Sequence, residues 1–231
     1  MPVSKVNRWR MFNQIASSYD FINRLITFGM DVSWRKQVVN RLPSNCRSVL
    51  DIASGTMDVA IAIATNHVNK PSVIALDMAE NMLGIGQKKC QDLGIRSVQS
   101  VVADVHQLPF KDGSFCSATV AFGIRNFEQL DVAFKEVFRV LSHGGDLIIL
   151  ESSNPSNACL RWMNRLFLNT WVRLMGLLFS GKGDSYGYLA KSIQEFESSA
   201  QLVQLLKQSG FTSVGVDYFM CQSVQLIHAK K

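Results

Sequence analysis

The chain has 231 residues, 47% of them hydrophobic and 18% charged; that is long enough to bury a sizeable core and too apolar for a disordered segment. Its 24 basic residues against 18 acidic ones give a net charge of +6, compatible with an anionic partner and equally with ordinary solubility charge. The five cysteines, Cys46, Cys90, Cys116, Cys159 and Cys221, form no C-x-x-C pair, so no metal site is expected, and reduced thiols in a cytoplasmic setting are. The N-terminal stretch MPVSKVNRWRMF has no apolar leader, and no apolar run reaches the roughly 18 residues of a membrane span.

Residues 1–45 read as a helical cap. Phe12, Ile15, Ala16 and Tyr19, then Phe21, Ile22, Leu25 and Ile26, recur at helical spacing. Gly29 breaks the pattern, Asp31 or Ser33 can cap a second helix, and Pro43 stops it. From 46 to 151 the pattern alternates. Short β-rich runs at 47–52, 72–77, 98–103, 115–122 and 146–151 are separated by helix-like stretches, including 80–92 and 128–141. Near-continuous apolar strands separated by helices indicate a parallel sheet covered on both faces, hence an α/β, doubly wound core. Residues 156–183 form a helical insertion or lid. Segment 184–231 then carries a helix at 200–208 and two strands, 211–220 and 222–229, too close to be anything but antiparallel. The expectation is a single domain. It holds a mostly parallel seven-stranded sheet finished by a C-terminal antiparallel hairpin.

In such sheets ligands bind beyond the carboxyl ends of the strands. The first strand ends in DIASGTMD, with Asp51 at its tip, Gly55 allowing close backbone approach and Thr56 opening a helix. A dinucleotide loop wants G-x-G-x-x-G and no nearby acid. This loop has one glycine between Asp51 and Asp58, a field that suits a positive sulfonium better than a pyrophosphate. S-adenosyl-L-methionine is therefore the expected cofactor. Asp77, ending the second strand, suits the ribose hydroxyls, and Asp104, after the third, suits the adenine amino group. Helix capping is the plainer role for any one of them.

The segments FNQIASSYDFINRLITFGMDVSWRKQ (12–37), VLDIASGTMD (49–58), FGIRNFEQLDVAFKEVFRVLSHGGDLIILESSNP (122–155) and DSYGYLAKSI (184–193) together resemble the ubiquinone/menaquinone biosynthesis C-methyltransferases, a family of class I S-adenosylmethionine-dependent methyltransferases. The resemblance implies cofactor contacts at Thr56, Asp77, Asp104 and Val105, and it places Asp51, Gly55, Met78 and Ala121 beside them. Ser54, Met57 and Ala121 depart from the family pattern. Glycine is usual at the first two positions and serine at the third, so a narrower loop and one lost polar contact are expected. The reaction implied is methylation of a ring carbon on a lipid-soluble quinol, either demethylmenaquinol or a polyprenyl-benzoquinol. Arg125 is then the candidate to stabilise the quinol oxyanion, Asn126 to hold a ring oxygen, and Tyr188 to line the substrate pocket. Arginine cannot itself take the proton. His106 is a weak candidate base, and His143 is expected at the far end of the sheet.

Segment 160–179 contains Arg161, Arg165 and Arg173 and no acid. On a helical wheel Met163, Leu166, Phe167, Trp171, Leu174 and Leu178 share one face, while Trp162 and Val172 interrupt the polar side. Peripheral membrane contact at the inner face and a simple cap over the site fit this pattern equally. An NAD(P) oxidoreductase is disfavoured by the loop and the hairpin. An RNA methyltransferase is disfavoured because no Asn/Asp-Pro-Pro-aromatic stretch or aromatic–basic platform occurs, so no nucleic-acid partner is expected. A non-catalytic nucleoside-binding protein and a homodimer both stay open.

Overall fold

The computed structural model describes residues 8–180 and 183–231. Apolar runs of five to seven residues become strands β1 (Ser48–Ile52), β2 (Ser72–Asp77), β3 (Val98–Val102) and β4 (Phe115–Ala121). They are followed by β5 (Leu141–Ser152), β6 (Ser213–Phe219) and β7 (Val224–Lys230). The seven-stranded sheet has the order β3-β2-β1-β4-β5-β7-β6. The first five strands pair in parallel. β7 runs antiparallel between β5 and β6. The doubly wound sheet with its terminal hairpin is thus as the sequence indicates, and its order reverses at β1, where a ligand crevice is expected.

Helices α3 (Asp58–Asn66), α4 (Glu80–Asp92) and α5 (Leu130–Val140) make the crossovers. Two apolar clusters cover the sheet. One centres on Phe134, Leu147, Ile149, Leu206 and Phe211, the other on Val38, Val49, Ile63, Ile148 and Leu226. Alternate residues of β5 enter opposite clusters, as the two-residue period of a strand requires. β5 begins earlier than its apolar run suggests, at Leu141, which pairs with Phe115; an irregular register separates this pair from the next, Ser117 with Asp146.

Four local expectations are corrected. The second helix, α2 (Met30–Arg41), starts before Asp31, and its cap is Gly29 in a left-handed conformation. Neither Asp31 nor Ser33 caps it; buried Asp31 instead binds Arg24 at 3.0 Å, Thr27 at 3.0 Å, and Arg35. The insertion is not one uniform helix. It comprises α6 (Ala158–Phe167), a π-helical turn at Leu168–Val172, and α7 (Arg173–Ser180). The inward residues are Leu168, Val172 and Met175, with Phe167 and Trp171 of the wheel's apolar face packed beside them. Met163, Leu166, Leu174 and Leu178 of the wheel's apolar face are exposed. Finally, the cysteines are not five separate thiols. Cys46 and Cys116, 70 residues apart, form a disulfide with Cα atoms 5.8 Å apart, because parallel pairing sets the start of β1 beside β4. Met57, expected to narrow the cofactor loop, is buried under Gly86 of α4.

The cap consists of α1 (Arg8–Ile26) and α2, and α1 packs on the insertion through Ile22 and Ile26 against Leu168, Val172 and Met175. Helix α8 (Gly183–Gln194), not anticipated from sequence, joins this cluster through Ala190 and Ile193. Helix α9 (Ser199–Gln208) opens with a capping box between Ser198 and Gln201.

Candidate active site

A cavity of about 310 Å³ runs along the carboxyl edge of β1 to β4, within the size range of small-ligand sites. Ala53, Gly55, Asp77, Met78, Asp104, Val105, His106, Ala121, Phe122 and Gly123 line it, and Trp9, Phe12 and Tyr19 of α1 lean over it. Ala53, Gly55 and Phe122 hold left-handed backbones, with φ of 51°, 54° and 56°. Only glycine takes that conformation without cost, so Ala53 and Phe122 store strain where two strands turn toward the cavity. A Cβ on Gly123 would lie 2.5 Å from that of Ala53; the close approach of the two turns therefore needs glycine.

Asp77 accepts the Gly55 N–H on Oδ2 and the Ala79 N–H on Oδ1, each at 2.8 Å. Burial raises its pKa and those donors oppose the rise. The Met78 N–H also contributes, and the acceptor capacity that remains on the carboxylate matches a ribose diol in the cavity. Asp104 takes both its contacts on Oδ1, from the His106 N–H at 2.9 Å and from His106 Nδ1 at 2.5 Å. Nε2 of His106 accepts from Gln129 N–H at 3.3 Å, which puts the ring proton on Nδ1. Both ring nitrogens are engaged, so His106 is a brace for Asp104 rather than a base. His143 lies near the start of β5, at the opposite edge.

Asp51 and Thr56 stand behind the cavity wall. Asp51 is buried, accepts from Ser54 and from Thr119 at 2.6 Å, and burial pushes its carboxyl up to about 6. Buried Thr56 donates to Asp20 of α1 at 2.5 Å. Lys89 joins Asp20 at 2.6 Å to Asp58 at 2.7 Å and to the Thr56 carbonyl at 3.1 Å. Thr56, Asp20 and Lys89 tie the cap to the cofactor loop, while Asp51 braces the loop against β4; neither Asp51 nor Thr56 lines the cavity.

A second cavity, about 110 Å³, lies beside the first and shares Tyr19 and Phe122 with it. Its walls are mainly apolar, from Ile26, Trp34, Phe167, Leu168, Val172, Leu189 and Val224, with Asn23, Asp31, Arg35 and Arg125 among them. Burial pushes the Asp31 carboxyl up, but Arg35 and Arg24 outweigh it and hold it below the usual range. A third recess, also bounded by Tyr19, collects Arg125, Asn126 and Tyr188. The Tyr188 hydroxyl donates to Asn126 Oδ1 at 3.1 Å, which leaves the Asn126 amide N–H₂ to donate elsewhere.

Arg125 is bound to Glu151, and both side chains are almost fully buried. Glu151 also accepts the Ser152 N–H at 2.8 Å. Burial raises the Glu151 pKa, and Arg125 pulls against it. Tyr19, which borders all three spaces, was not singled out from sequence. Its pKa is raised by loss of water, with Arg125 opposing. The only signal in the sequence was its place in the helical spacing of 12–26.

The profile of the ubiE/COQ5 methyltransferase family matches residues 3–230. The chain belongs to that family. A demethylmenaquinone methyltransferase of Thermotoga maritima is 39% identical over 212 residues, 90% of this chain and 89% of that protein. A ubiquinone/menaquinone biosynthesis C-methyltransferase of Rickettsia akari is 33% identical, covering 89% and 84%. Among solved structures, a SAM-dependent methyltransferase of Thermotoga maritima superposes with a TM-score of 0.69 over 96% of this chain and 99% of that one, at 21% identity. The [4+2]-cyclase SpnF gives 0.66 over 99% and 97%, at 14% identity. Likenesses so low in identity carry the fold alone. This member of the ubiE/COQ5 family is an S-adenosylmethionine-dependent C-methyltransferase. The larger cavity suits that cofactor: it offers carboxylates and a glycine turn flanked by strained Ala53, with no glycine-rich phosphate cradle.

Proposed function

We propose that this methyltransferase methylates a ring carbon of a polyprenylated quinol, with demethylmenaquinol as its first substrate and the benzoquinol as an alternative. The observation that carries the reading is the meeting of an adenosyl-sized cavity with an apolar one at Tyr19, Phe122 and the Arg125–Asn126 pair. Demethylmenaquinol comes first because relatives from Thermotoga maritima, Bacteroides fragilis and Thermus thermophilus bear the demethylmenaquinone methyltransferase name. A cytoplasmic place of action belongs to the same proposal.

S-adenosylmethionine, when bound, supplies an electrophilic methyl on a positive sulfur. Asp77 and Asp104 would hold the nucleoside, with Gly55, Met78, Val105 and Ala121 shaping the wall. Asp51 and Thr56 support that wall from behind. On the substrate side, deprotonating a ring hydroxyl makes the neighbouring carbon nucleophilic. Arg125 stabilises the resulting oxyanion, and Asn126, oriented by Tyr188, donates to a ring oxygen. Tyr19 positions the ring between the cavities. The bound cofactor would supply its methyl to that ring carbon, its carbon–sulfur bond breaking as the new carbon–carbon bond forms. Water would take the proton that the carbon then loses, which restores the aromatic ring.

The test uses purified protein, labelled S-adenosylmethionine and each quinol, with products read by mass. Methylated naphthoquinol is the expected product, and failure to methylate either quinol overturns the reading. Arg125→Lys should lower kcat by roughly 100-fold, the scale for an oxyanion donor, while S-adenosylhomocysteine affinity stays nearly constant by calorimetry. Equal loss of turnover and cofactor affinity would make Arg125 a structural residue.

A further inference from the structure

The π-helical turn leaves the insertion with two different faces. Its inner face, through Asn164, Phe167, Leu168 and Val172, walls the second cavity. Its outer face exposes Trp162 (65%), Leu177 (64%) and Leu178 (62%), with Met163, Leu166 and Leu174 about half exposed. Phe28, at the α1–α2 junction, is 62% exposed and extends the patch, stacking on Trp171 at 5.3 Å. So many large apolar side chains on adjoining turns exceed the scattered surface hydrophobics of a monomer.

Arg161, Arg165 and Arg173 are exposed on the same helices, and no acid occurs between Glu151 and Asp184. We propose that the outer face of α6 and α7 docks on an anionic lipid surface. Apolar side chains beside arginines, without acids, match such a surface, where each cation near the headgroups adds attraction. A second copy of the chain fits less well. A two-fold contact places the same patch against itself, setting arginines against arginines with no carboxylate between.

The proposal rests on the polyprenylated-quinol reading for its purpose. The second cavity holds about 110 Å³, well short of the roughly 300 Å³ at which drug-sized pockets begin. It accommodates a ring at most, so a long apolar tail must continue outside it. The helices that wall the cavity are the ones that would lie on the lipid. Such a tail therefore passes from bilayer to site along a single element without crossing water. None of the described helices is long and apolar enough to cross a membrane, so the contact is at the interface.

Co-sedimentation of the full chain with vesicles, in the absence of quinol, tests the docking alone. Vesicles of phosphatidylcholine with phosphatidylglycerol should pellet the protein at low salt. Phosphatidylcholine alone should do so weakly, and high salt should weaken the anionic binding. The double variant Trp162→Ser/Leu177→Ser should partition at least about tenfold more weakly, as should Arg161→Gln/Arg165→Gln. Methylation of a short-tailed soluble quinol by these variants should match wild type, which separates failure of docking from failure of the proposed reaction. Absence of binding to anionic vesicles overturns the proposal, as does binding that both variants leave unchanged. A dimer seen by light scattering that the serine variant dissociates would assign the face to a second copy instead.

Discussion

Asp51 is a carboxyl placed where water cannot reach it. The hydroxyls of Ser54 and Thr119 share its charge, yet burial still lifts its pKa to about 6. The folded state thus holds the proton more tightly than the unfolded chain. Stability from this group is fully present below the ordinary carboxyl pKa and is lost as pH rises through 6, costing about 3 kcal/mol above that. In Asp51→Asn that loss should disappear. The variant's stability relative to wild type, by urea unfolding, should rise between pH 4 and 7; a difference that stays flat would place the pKa elsewhere. Arg125 and Asn126 were legible as residues because their segment carries a family pattern. Their partners Glu151 and Tyr188 were not assigned to them, since both arrive from distant strands and helices. Asp51 and Thr56 show the converse: correct residue types at a strand tip, with side chains turned behind the wall.

At the scale of elements, helix and strand periods forecast the core closely. Helix α4 falls where the sequence puts it, and its middle packs against the cofactor loop: Met57 is left-handed, with φ of 64°, and its buried side chain uses the space that Gly86 leaves. A Cβ on Gly86 would come within 2.4 Å of Met57 Cγ. Gly86→Ala should therefore destabilise by about 1–3 kcal/mol through overpacking, despite the better helix propensity of alanine. Adding Met57→Gly removes the clash and the backbone strain, so the double variant should unfold at a higher temperature than Gly86→Ala alone. Additive losses would show that the two residues do not share that space. In the insertion, Met163, Leu166, Leu174 and Leu178 keep the shared face that the helical wheel gives them. Phe167 and Trp171 leave it and pack inward beside Leu168 and Val172, where the π turn widens the helix.

Across the whole molecule, the Cys46–Cys116 disulfide joins the starts of β1 and β4, at the edge opposite the cavities. Closing a 70-residue loop should stabilise the fold by about 4 kcal/mol through the unfolded chain. Reductant should lower Tm by roughly 10 °C, and unreduced, unfolded protein should titrate three thiols. Five reactive thiols, or a Tm indifferent to reductant, would show the pair to be unbonded. What the sequence determined by itself is what local chemistry governs. Runs of period two became strands, apolar strands separated by helices became a parallel sheet, and aspartates at the tips of β2 and just beyond β3 came to the ligand edge. Those outcomes follow from backbone geometry and chain connectivity, which act over a few residues. Only the tertiary structure decided that α1 lies across that edge and brings Tyr19 between the cavities. It alone buried Glu151 against Arg125 and set two cysteines side by side. Each depends on contacts between segments tens of residues apart, where the packing of whole faces, not neighbouring residues, selects the partner.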